Sequence, residues 1–324
     1  MKKNNIAIIG FGSIGEKHLK NLIDMKFKNE IYIVSRRKHV SELKNVFFLN
    51  NIEKLKLKNI KFIIICSPSS SHLIDLKLCY KFLGNKTLFL IEKPIFNDYH
   101  PVKKFFKKFH YLNIFVGYQI RYSLALIQLK KILKKFNKKK ILDISVSCES
   151  FLPNWRSNRN FKKGVSLNKD NGGVLLELSH EINYLILLFG IPKKVFALSP
   201  KSRLFKSQVE ENIDAKMMYD KNKKINLKLN FDNRFKNERY LKIRYDNYFI
   251  HWNLIKKELI IKTTINTKTY YFNNENLLKQ QMTFILDETK NKTVNNSLND
   301  SIETLKIIHY LKKSLKTNKV CSVK

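Results

Sequence analysis

The chain has 324 residues, an apolar fraction of 44% and a formal net charge of +37. This length can bury the cores of two domains, and no apolar run is long enough to span a bilayer, which argues against a membrane partner. Such a charge would suit nucleic-acid binding or the steering of phosphorylated substrates. However, the basic residues are spread along the whole chain among many Asn and Ile residues, as in AT-rich genomes, so we expect no nucleic-acid partner.

The cysteines and the N-terminus predict a cytoplasmic protein. Cys66, Cys79, Cys148 and Cys321 have no CxxC spacing, so we expect free thiols in a reducing compartment. The N-terminal residues lead straight into the first predicted strand, and a signal peptide there would destroy the motif that follows it.

That motif is a glycine-rich turn between a strand and a helix. Ile6–Ile9 is apolar and of strand length, and a Gly-x-Gly-x-x-Gly sequence follows it. This context predicts a dinucleotide-binding turn, although a plain glycine-rich turn is the alternative. Gly10 would allow the tight turn, Gly12 the approach of a pyrophosphate, and Gly15 close helix packing, while the helix N-terminus favours phosphate. The candidate cofactor residues are Gly10, Phe11, Gly12, Ser13, Ile14 and Gly15.

The end of the second predicted strand, Glu30–Val34, indicates which cofactor binds. NAD-selective sites carry an acidic residue about 20 positions after the glycines, but here Ser35 stands there, followed by Arg36 and Arg37. Arginine suits a ribose 2′-phosphate through charge-assisted hydrogen bonds. The pattern therefore favours NADP, with NAD still open, unless the arginines are only a solvated basic loop.

Further apolar strands end in polar residues. Lys61–Cys66 runs into Ser67 and Pro68, with His72 opening the next helix, and Thr87–Ile91 is followed by Glu92, Lys93 and Pro94. Ligands bind at the carboxyl ends of the strands in open α/β sheets. With a last strand at Ile114–Gln119, the alternation of strands and helices predicts a doubly wound parallel sheet, a Rossmann domain over residues 1–120.

Residues 121–324 predict an α+β domain. A helix at about 123–136 and a strand at Ile141–Glu149 precede a polar loop of about twenty residues. A nearly all-apolar helix follows at Val174–Gly190, with Glu177, Ser179, His180 and Glu181 near its start. Because Tyr184 stands where a second zinc histidine would be, we predict no metal. Strand-like segments at 195–198, 212–219, 224–231, 240–252 and 258–271 predict a large, mostly antiparallel open sheet, followed by helices at about 274–291 and 298–316.

Taken together, these motifs resemble the glucose–fructose oxidoreductase / myo-inositol dehydrogenase (Gfo/Idh/MocA) family. The resemblance rests on Gly10–Gly15 with His18, Ser67-Pro68 with His72, Glu92-Lys93-Pro94, the segment 117–122, and Gly172-Gly173 followed by His180. It implies an NAD(P)-dependent oxidoreductase that moves a hydride between the nicotinamide and a hydroxyl or carbonyl of a sugar, nucleotide sugar or cyclitol. A homodimer or homotetramer through the C-terminal sheet is also implied.

The resemblance implies roles for individual residues. Lys93 and His180 would be the acid–base groups, acting as one catalytic unit on one substrate between the two domains. The implied cofactor contacts include Ser67, Pro68, His72, Glu92, Lys93 and Gln119, and the implied substrate contacts are Lys93, Arg121, Trp155, Arg156, Glu177 and His180. The loop Leu152–Arg156 and the segment Leu176–Glu181 look like members encoded with surface-polysaccharide sugar genes.

Two departures from the family pattern bear on the proton relay. An Asp is common four residues before the His, where this chain has Leu176, with Glu177 as the nearest carboxylate. Asn183 likewise stands where an Asp is common. The leading interpretation is an enzyme, because Lys93 and His180 are present. The alternative is a catalytically silent NAD(P)-binding sensor of the same fold.

Overall fold

The structure is a computed structural model that describes residues 4–36, 41–85, 87–109, 113–136, 140–155, 160–200, 204–220, 223–287 and 297–324. The chain divides into two compact units. The first comprises Met1–Tyr118 and Leu278–Leu305, and the second comprises Gln119–Leu277 and Lys306–Lys324. The first long segment ends two residues before the predicted boundary at 120, but the division differs from the prediction because Leu278–Leu305 also belongs to the first unit.

The first unit contains a parallel sheet of six strands in the order β3-β2-β1-β4-β5-β6. Its inner strands are buried almost continuously, as in parallel sheets covered on both faces. The predicted doubly wound sheet is confirmed. The strands are β1 (Asn5–Ile9), β2 (Ile31–Val34), β3 (Val46–Leu49), β4 (Ile60–Ile65), β5 (Leu88–Ile91) and β6 (Ile114–Val116), and the helices are α1 (Ser13–Asp24), α2 (His72–Leu83) and α3 (His100–Phe109).

The core of this unit draws residues from both ends of the chain. Ile8, Ile33 and Ile64 of the central strands share one buried cluster with Met282 and Ile285. Those two residues lie on helix α7 (Leu277–Leu286). The side chain of Gln281 on the same helix donates a hydrogen bond to the Val116 carbonyl at the end of β6 (3.4 Å). These contacts explain why a late segment completes the first unit.

The second unit contains a sheet of nine strands in the order β14-β13-β12-β11-β7-β10-β9-β8-β15. Only β7 and β10 pair in parallel, so the predicted mostly antiparallel sheet is confirmed. Burial alternates along β9 and β10, as expected for a sheet with one covered face. The strands are β7 (Ile141–Glu149), β8 (Lys194–Leu198), β9 (Asn212–Met218), β10 (Lys224–Asn230), β11 (Glu238–Tyr245), β12 (Tyr248–Asn253), β13 (Glu258–Thr263), β14 (Thr267–Tyr271) and β15 (Cys321–Ser322).

Two long predicted strands are hairpins instead. The segment 240–252 turns at Asp246-Asn247 between β11 and β12, and the segment 258–271 turns at residues 264–266 between β13 and β14. Asp and Asn favour such turns because they tolerate left-handed backbone conformations and bond to their own backbone. Apolar and aromatic residues stand on both sides of each turn, so the sequence pattern of each hairpin predicts one long strand.

The predicted helix at 174–190 is also interrupted. The structure has α5 (Val174–Glu177) and α6 (Ser179–Phe189), with a non-helical backbone at Leu178 (φ −100°, ψ 28°). The Ser179 hydroxyl donates a hydrogen bond to the Leu176 carbonyl across this break (3.0 Å). Glu177 and His180, three residues apart, therefore lie on two different helices and not on the single helix that the apolar run predicted. The remaining helices of this unit are α4 (Leu124–Lys135) and the end of α8 (Ser297–Thr317).

Candidate active site

The glycine turn after β1 leaves one backbone position open and two closed. Gly10 has φ +90°, and a Cβ on it would lie 2.7 Å from the Ser67 nitrogen. A Cβ on Gly15 would collide with the Gly10 carbonyl oxygen, because α1 packs directly on the turn. At Gly12 the backbone is extended and exposed, with nothing within 4 Å of a Cβ. The turn thus has an accessible backbone just where α1 begins, which is the cradle that a pyrophosphate needs.

The residues around Gly12 are partly accessible. Phe11, Ser13 and Ile14 are half-buried, and the Phe11 ring packs edge-on against Phe48 (centroids 5.2 Å apart). The amide of Glu16 donates to the Gly12 carbonyl (2.9 Å), which closes the first turn of α1. The earlier amides of the helix are therefore the ones that can face an anion.

The end of β2 is accessible at the position that would contact the adenosine ribose. Ser35 is half-buried and Arg36 is exposed, whereas Arg37 lies outside the described residues. Asp75, in the first turn of α2, accepts a hydrogen bond from the Ser67 hydroxyl (2.6 Å). Burial raises the pKa of Asp75, while the Ser67 hydrogen bond and the charge of Arg36 act in the opposite direction.

His72 is held by the protein itself. Its side chain is buried, with Nδ1 3.0 Å from the Ile95 carbonyl oxygen and Nε2 2.7 Å from the Ser67 carbonyl oxygen. Burial lowers the pKa of His72, while the two carbonyls act to raise it. Both ring nitrogens thus face backbone acceptors. Among the other cofactor residues predicted here, Pro68 is exposed and Ser67 half-buried.

The charged residues after β5 differ in exposure. Glu92 is buried, and its Oε1 accepts a hydrogen bond from His18 Nε2 at 2.7 Å. Its Oε2 accepts a longer bond from the Lys93 amide (3.3 Å). Lys93 is half-buried and is joined to Pro94 by a cis peptide bond. Burial, with help from the Glu92 charge, raises the pKa of the neighbouring Cys66 thiol.

In the second unit, a 3-10 helix at Gln119–Tyr122 brings Arg121, a predicted substrate residue, to α6. The Arg121 guanidinium donates a hydrogen bond to the Asn183 side-chain oxygen (3.3 Å). Asn183 lies one helical turn after His180, and both are buried. The structure therefore places Arg121 and His180 at the same part of the unit. Gln119 is half-buried, and burial raises the pKa of Tyr122 to about 12.

Beside His180 lies a buried ion pair whose pairing was not predicted. Glu181 Oε1 accepts from Arg239 Nε of β11 at 2.6 Å, and the carboxylate side chain has no exposed surface. Burial and the Glu181 charge raise the pKa of the Tyr184 hydroxyl. The sequence marked Glu181 only as a polar intrusion in an apolar helix, and no local pattern could identify a partner 58 positions later.

The other predicted substrate residues of this unit are Trp155, Arg156 and Glu177. Trp155 is half-buried on a 3-10 helix at Leu152–Trp155, where its Nε1 donates to the Ser150 hydroxyl (2.9 Å) and its ring meets Phe231 edge-on. Arg156 lies outside the described residues. Glu177 is half-buried on α5. The convergence of Lys93 and His180 on one substrate stays a prediction.

One family of known proteins matches the first unit by sequence. The sequence model of a family described as an oxidoreductase family with an NAD-binding Rossmann fold matches residues 4–117. No curated protein matches the chain by sequence. No helix in the described ranges is long and apolar enough to cross a membrane.

Solved structures share the fold over nearly the whole chain. Levoglucosan dehydrogenase in complex with NADH superposes with a TM-score of 0.82 at 15% identity, covering 99% of both chains. The putative oxidoreductase yvaA from Bacillus subtilis gives 0.80 at 15% identity, covering 100% of both. The super-repressor mutant of Gal80p from Saccharomyces cerevisiae gives 0.79 at 13% identity, covering 99% of this chain and 98% of that one. At these identities the likeness establishes the fold.

Proposed function

We propose that this chain, whose residues 4–117 match an oxidoreductase family with an NAD-binding Rossmann fold, is a member of the Gfo/Idh/MocA family and an NAD(P)-dependent dehydrogenase or reductase acting on a sugar-like alcohol or carbonyl. The observation that carries the proposal is the turn Gly10–Gly15. Its middle glycine has an exposed, extended backbone with room beyond it, while its outer glycines leave no space for a side chain. Packing accounts for the outer glycines but not for Gly12, whose bare backbone suits the close approach of a dinucleotide pyrophosphate.

The residues present can hold the cofactor. The amides at the start of α1 and the Gly12 backbone would receive the pyrophosphate, and Ser35 and Arg36 would face the adenosine ribose. The nicotinamide, when bound, supplies hydride exchange by its own chemistry. The protein then has to orient the substrate and move one proton to or from its oxygen.

We assign that proton transfer to Lys93 and His180. Lys93 is half-buried after β5, on the sheet edge where open α/β sheets bind ligands. His180 is buried at the start of α6, one turn from the Asn183 side chain that holds Arg121. In alcohol oxidation one of these groups would accept the hydroxyl proton, and in carbonyl reduction it would return the proton. Arg121 would bind and orient the substrate.

NADP is the proposed cofactor, with NAD as the alternative. Arg36 is exposed at the end of β2, and Ser35 replaces the acidic residue that would repel a 2′-phosphate. A guanidinium free to reach a phosphate can form charge-assisted hydrogen bonds with it.

A sugar, nucleotide sugar or cyclitol is the proposed substrate class, possessing the alcohol groups this chemistry requires. This chain shares its fold with levoglucosan dehydrogenase, which supports this substrate class.

A second candidate function is cofactor-dependent sensing without turnover, which the fold shared with the Gal80p super-repressor favours. We also propose self-association through the nine-stranded sheet as a homodimer or homotetramer, and a reducing, cytoplasmic location consistent with four buried free thiols.

The test begins with binding and proceeds to turnover. Titration with NADPH and NADH should give saturable binding to the wild type, and Gly12→Val should abolish it with an unchanged melting temperature, because a side chain at 12 has room in the free protein. A panel of levoglucosan, inositols, sugars and nucleotide sugars is then followed by nicotinamide absorbance. Equal binding by Gly12→Val contradicts the cofactor site. Binding without turnover of any panel member favours the sensor.

A further inference from the structure

We propose that His18 and Glu92 form a buried positioning pair that fixes the backbone of Lys93 relative to helix α1. The inference rests on the proposed function, because it assigns to Lys93 the proton transfer described above. It gives Glu92 a role inside the protein in place of the cofactor contact that the sequence predicted.

The hydrogen bond between His18 and Glu92 is short, and both side chains are almost fully buried. His18 Nε2 lies 2.7 Å from Glu92 Oε1, and the two side chains are 0% and 11% exposed. A carboxylate can only accept, so Nε2 carries the hydrogen. The other ring nitrogen, Nδ1, is buried and has no hydrogen-bond partner within the described parts of the chain. The hydrogen bonding of this ring is therefore directed to Glu92, whereas both nitrogens of His72 face backbone carbonyls.

The second carboxylate oxygen reaches Lys93. Glu92 Oε2 accepts from the Lys93 amide at 3.3 Å. On its other side lies Gly117, where a Cβ would be 2.6 Å from the same oxygen and 2.8 Å from the carboxylate carbon. Glycine at 117 thus makes room for the carboxylate, and any side chain there would displace it. The carboxylate is confined between His18, the Lys93 amide and the Gly117 backbone.

The pair connects two parts of the proposed site. His18 lies one turn after Gly15 on the helix that begins at the glycine turn, and Glu92 directly precedes Lys93. The backbone on the far side of Lys93 has its own brace, because His72 of α2 contacts the Ile95 carbonyl. A shift of about 1 Å in a reacting group can cost roughly a hundredfold in rate. A link between the cofactor cradle and Lys93 is therefore useful, whereas a buried carboxylate in a parallel-sheet core is costly unless paired.

Three variants separate positioning from general packing. His18→Leu removes the donor with little change in volume, and His18→Gln restores an N–H that can reach Oε1. Asn21→Leu is the matched control, since Asn21 is buried on the same helix, three residues later, and its amide bonds to the Leu278 carbonyl (3.5 Å) without touching Glu92. Each variant is measured for melting temperature, NADPH affinity, kcat and KM, and hydrogen exchange of the Lys93 amide.

We expect His18→Leu to lower kcat by about ten- to a hundredfold, with NADPH affinity and KM changing less than about threefold. Exchange of the Lys93 amide should accelerate, and His18→Gln should recover most of both effects. Asn21→Leu should lose melting temperature but keep kcat and the Lys93 exchange rate. Equal kcat losses in His18→Leu and Asn21→Leu, or an unchanged kcat in His18→Leu, overturn the proposal.

The exchange measurement separates this proposal from the proposed function. If the wild type neither binds a dinucleotide nor turns over a substrate, the proposed function fails. Faster Lys93 exchange in His18→Leu, but not in Asn21→Leu, would still support the positioning pair in that case. If the Lys93 amide exchanges at the same rate in the wild type, His18→Leu and Asn21→Leu, the proposed positioning pair is wrong irrespective of activity.

Discussion

The two sheets of this protein hold their charged residues in different places. In the first unit the inner strands carry no charge except the exposed Lys61 near the start of β4, and other charges come just after strands, Arg36 after β2 and Lys93 after β5. In the second unit charges lie within the elements. Glu149 is the last residue of β7 and pairs with Lys228 of β10, and Arg239 in β11 pairs with Glu181 in α6.

The cause of this difference lies in how each sheet is covered. A parallel sheet with both faces buried has no place for a charge except at the strand ends, where ligands also bind. In the second sheet, charges on neighbouring strands and on the covering helix can pair with one another. We therefore expect loss of a charge that follows a strand to reduce turnover in the first unit, and loss of a paired charge within the elements to reduce stability in the second.

The largest effect is expected at the two proposed acid–base groups. Lys93→Met and His180→Ala should each lower kcat by roughly 10²- to 10⁴-fold. We predict that the two groups act as a unit, so the double variant should lose less than the product of the two single losses. Steady-state kinetics at saturating NADPH measure both. Lys61→Met, an exposed lysine of β4, is the control. Large losses of melting temperature with kcat retained would assign both residues to the fold, and would remove the distinction between the units.

Removal of Glu181 should be the largest stability effect. Glu181→Ala leaves the Arg239 guanidinium without its 2.6 Å carboxylate partner. Breaking a buried pair costs about 3–5 kcal/mol, and we expect about 3 kcal/mol because the Arg239 side chain is 28% exposed and can be rehydrated. Urea unfolding of Glu181→Ala is compared with Glu177→Gln, which changes a half-buried carboxylate one turn earlier. A difference below about 1 kcal/mol between the two would contradict a stabilising role for this pair.

Local sequence patterns predicted the first unit better than the second. The glycine turn and the apolar strands of the first unit are short-range signals, and their strand-end residues follow from the rule for parallel sheets. The pairs His18–Glu92 and Glu181–Arg239 join residues 74 and 58 positions apart, which no local period encodes. The same limit applies to Met282 and Ile285, whose helical spacing predicted α7 but not the core in which it packs.

Glu149 provides a pH-dependent test of the second unit. Burial by itself raises the pKa of this carboxyl, but the Asn233 amide (2.8 Å) and the Lys228 and Lys236 charges outweigh it and hold the pKa below its ordinary value. Its contribution to stability is thus present above the ordinary glutamate pKa of about 4.3 and is lost as the pH falls through the lowered value.

Glu149→Gln should therefore lower the free energy of unfolding at neutral pH by about 1–2 kcal/mol, since the hydrogen bond is charge-assisted but the lysines are partly exposed. The gap to the wild type should narrow below about pH 4. Unfolding curves at several pH values measure it, with exposed Asp214→Asn on β9 as the control. A gap that widens on acidification would mean that the carboxyl is not stabilised in its ionised form.

The smallest effect is expected at Arg36. Arg36→Ala should weaken NADPH binding roughly tenfold, because Arg36 is exposed and its hydrogen bond to a phosphate should lie at the low end of the range of about 1.5–3 kcal/mol, and it should leave NADH affinity unchanged. Arg244→Ala, an exposed arginine of β11, controls for the loss of one positive charge. Equal weakening of both cofactors, or tighter NADH binding by the wild type, would reassign Arg36 to a solvated loop.

The late segment Leu278–Leu305 has a consequence for synthesis on the ribosome. The first 118 residues emerge long before Met282 and Ile285, which fill the core of their sheet, so the first unit cannot reach its finished core until most of the chain has been made. Domains usually fold as units, N-terminal first. In this chain, the apolar surface that Met282 and Ile285 cover stays exposed until the late segment has been synthesised. A nascent chain that ends before residue 278 would carry this surface exposed, where a chaperone or an aggregate can bind it.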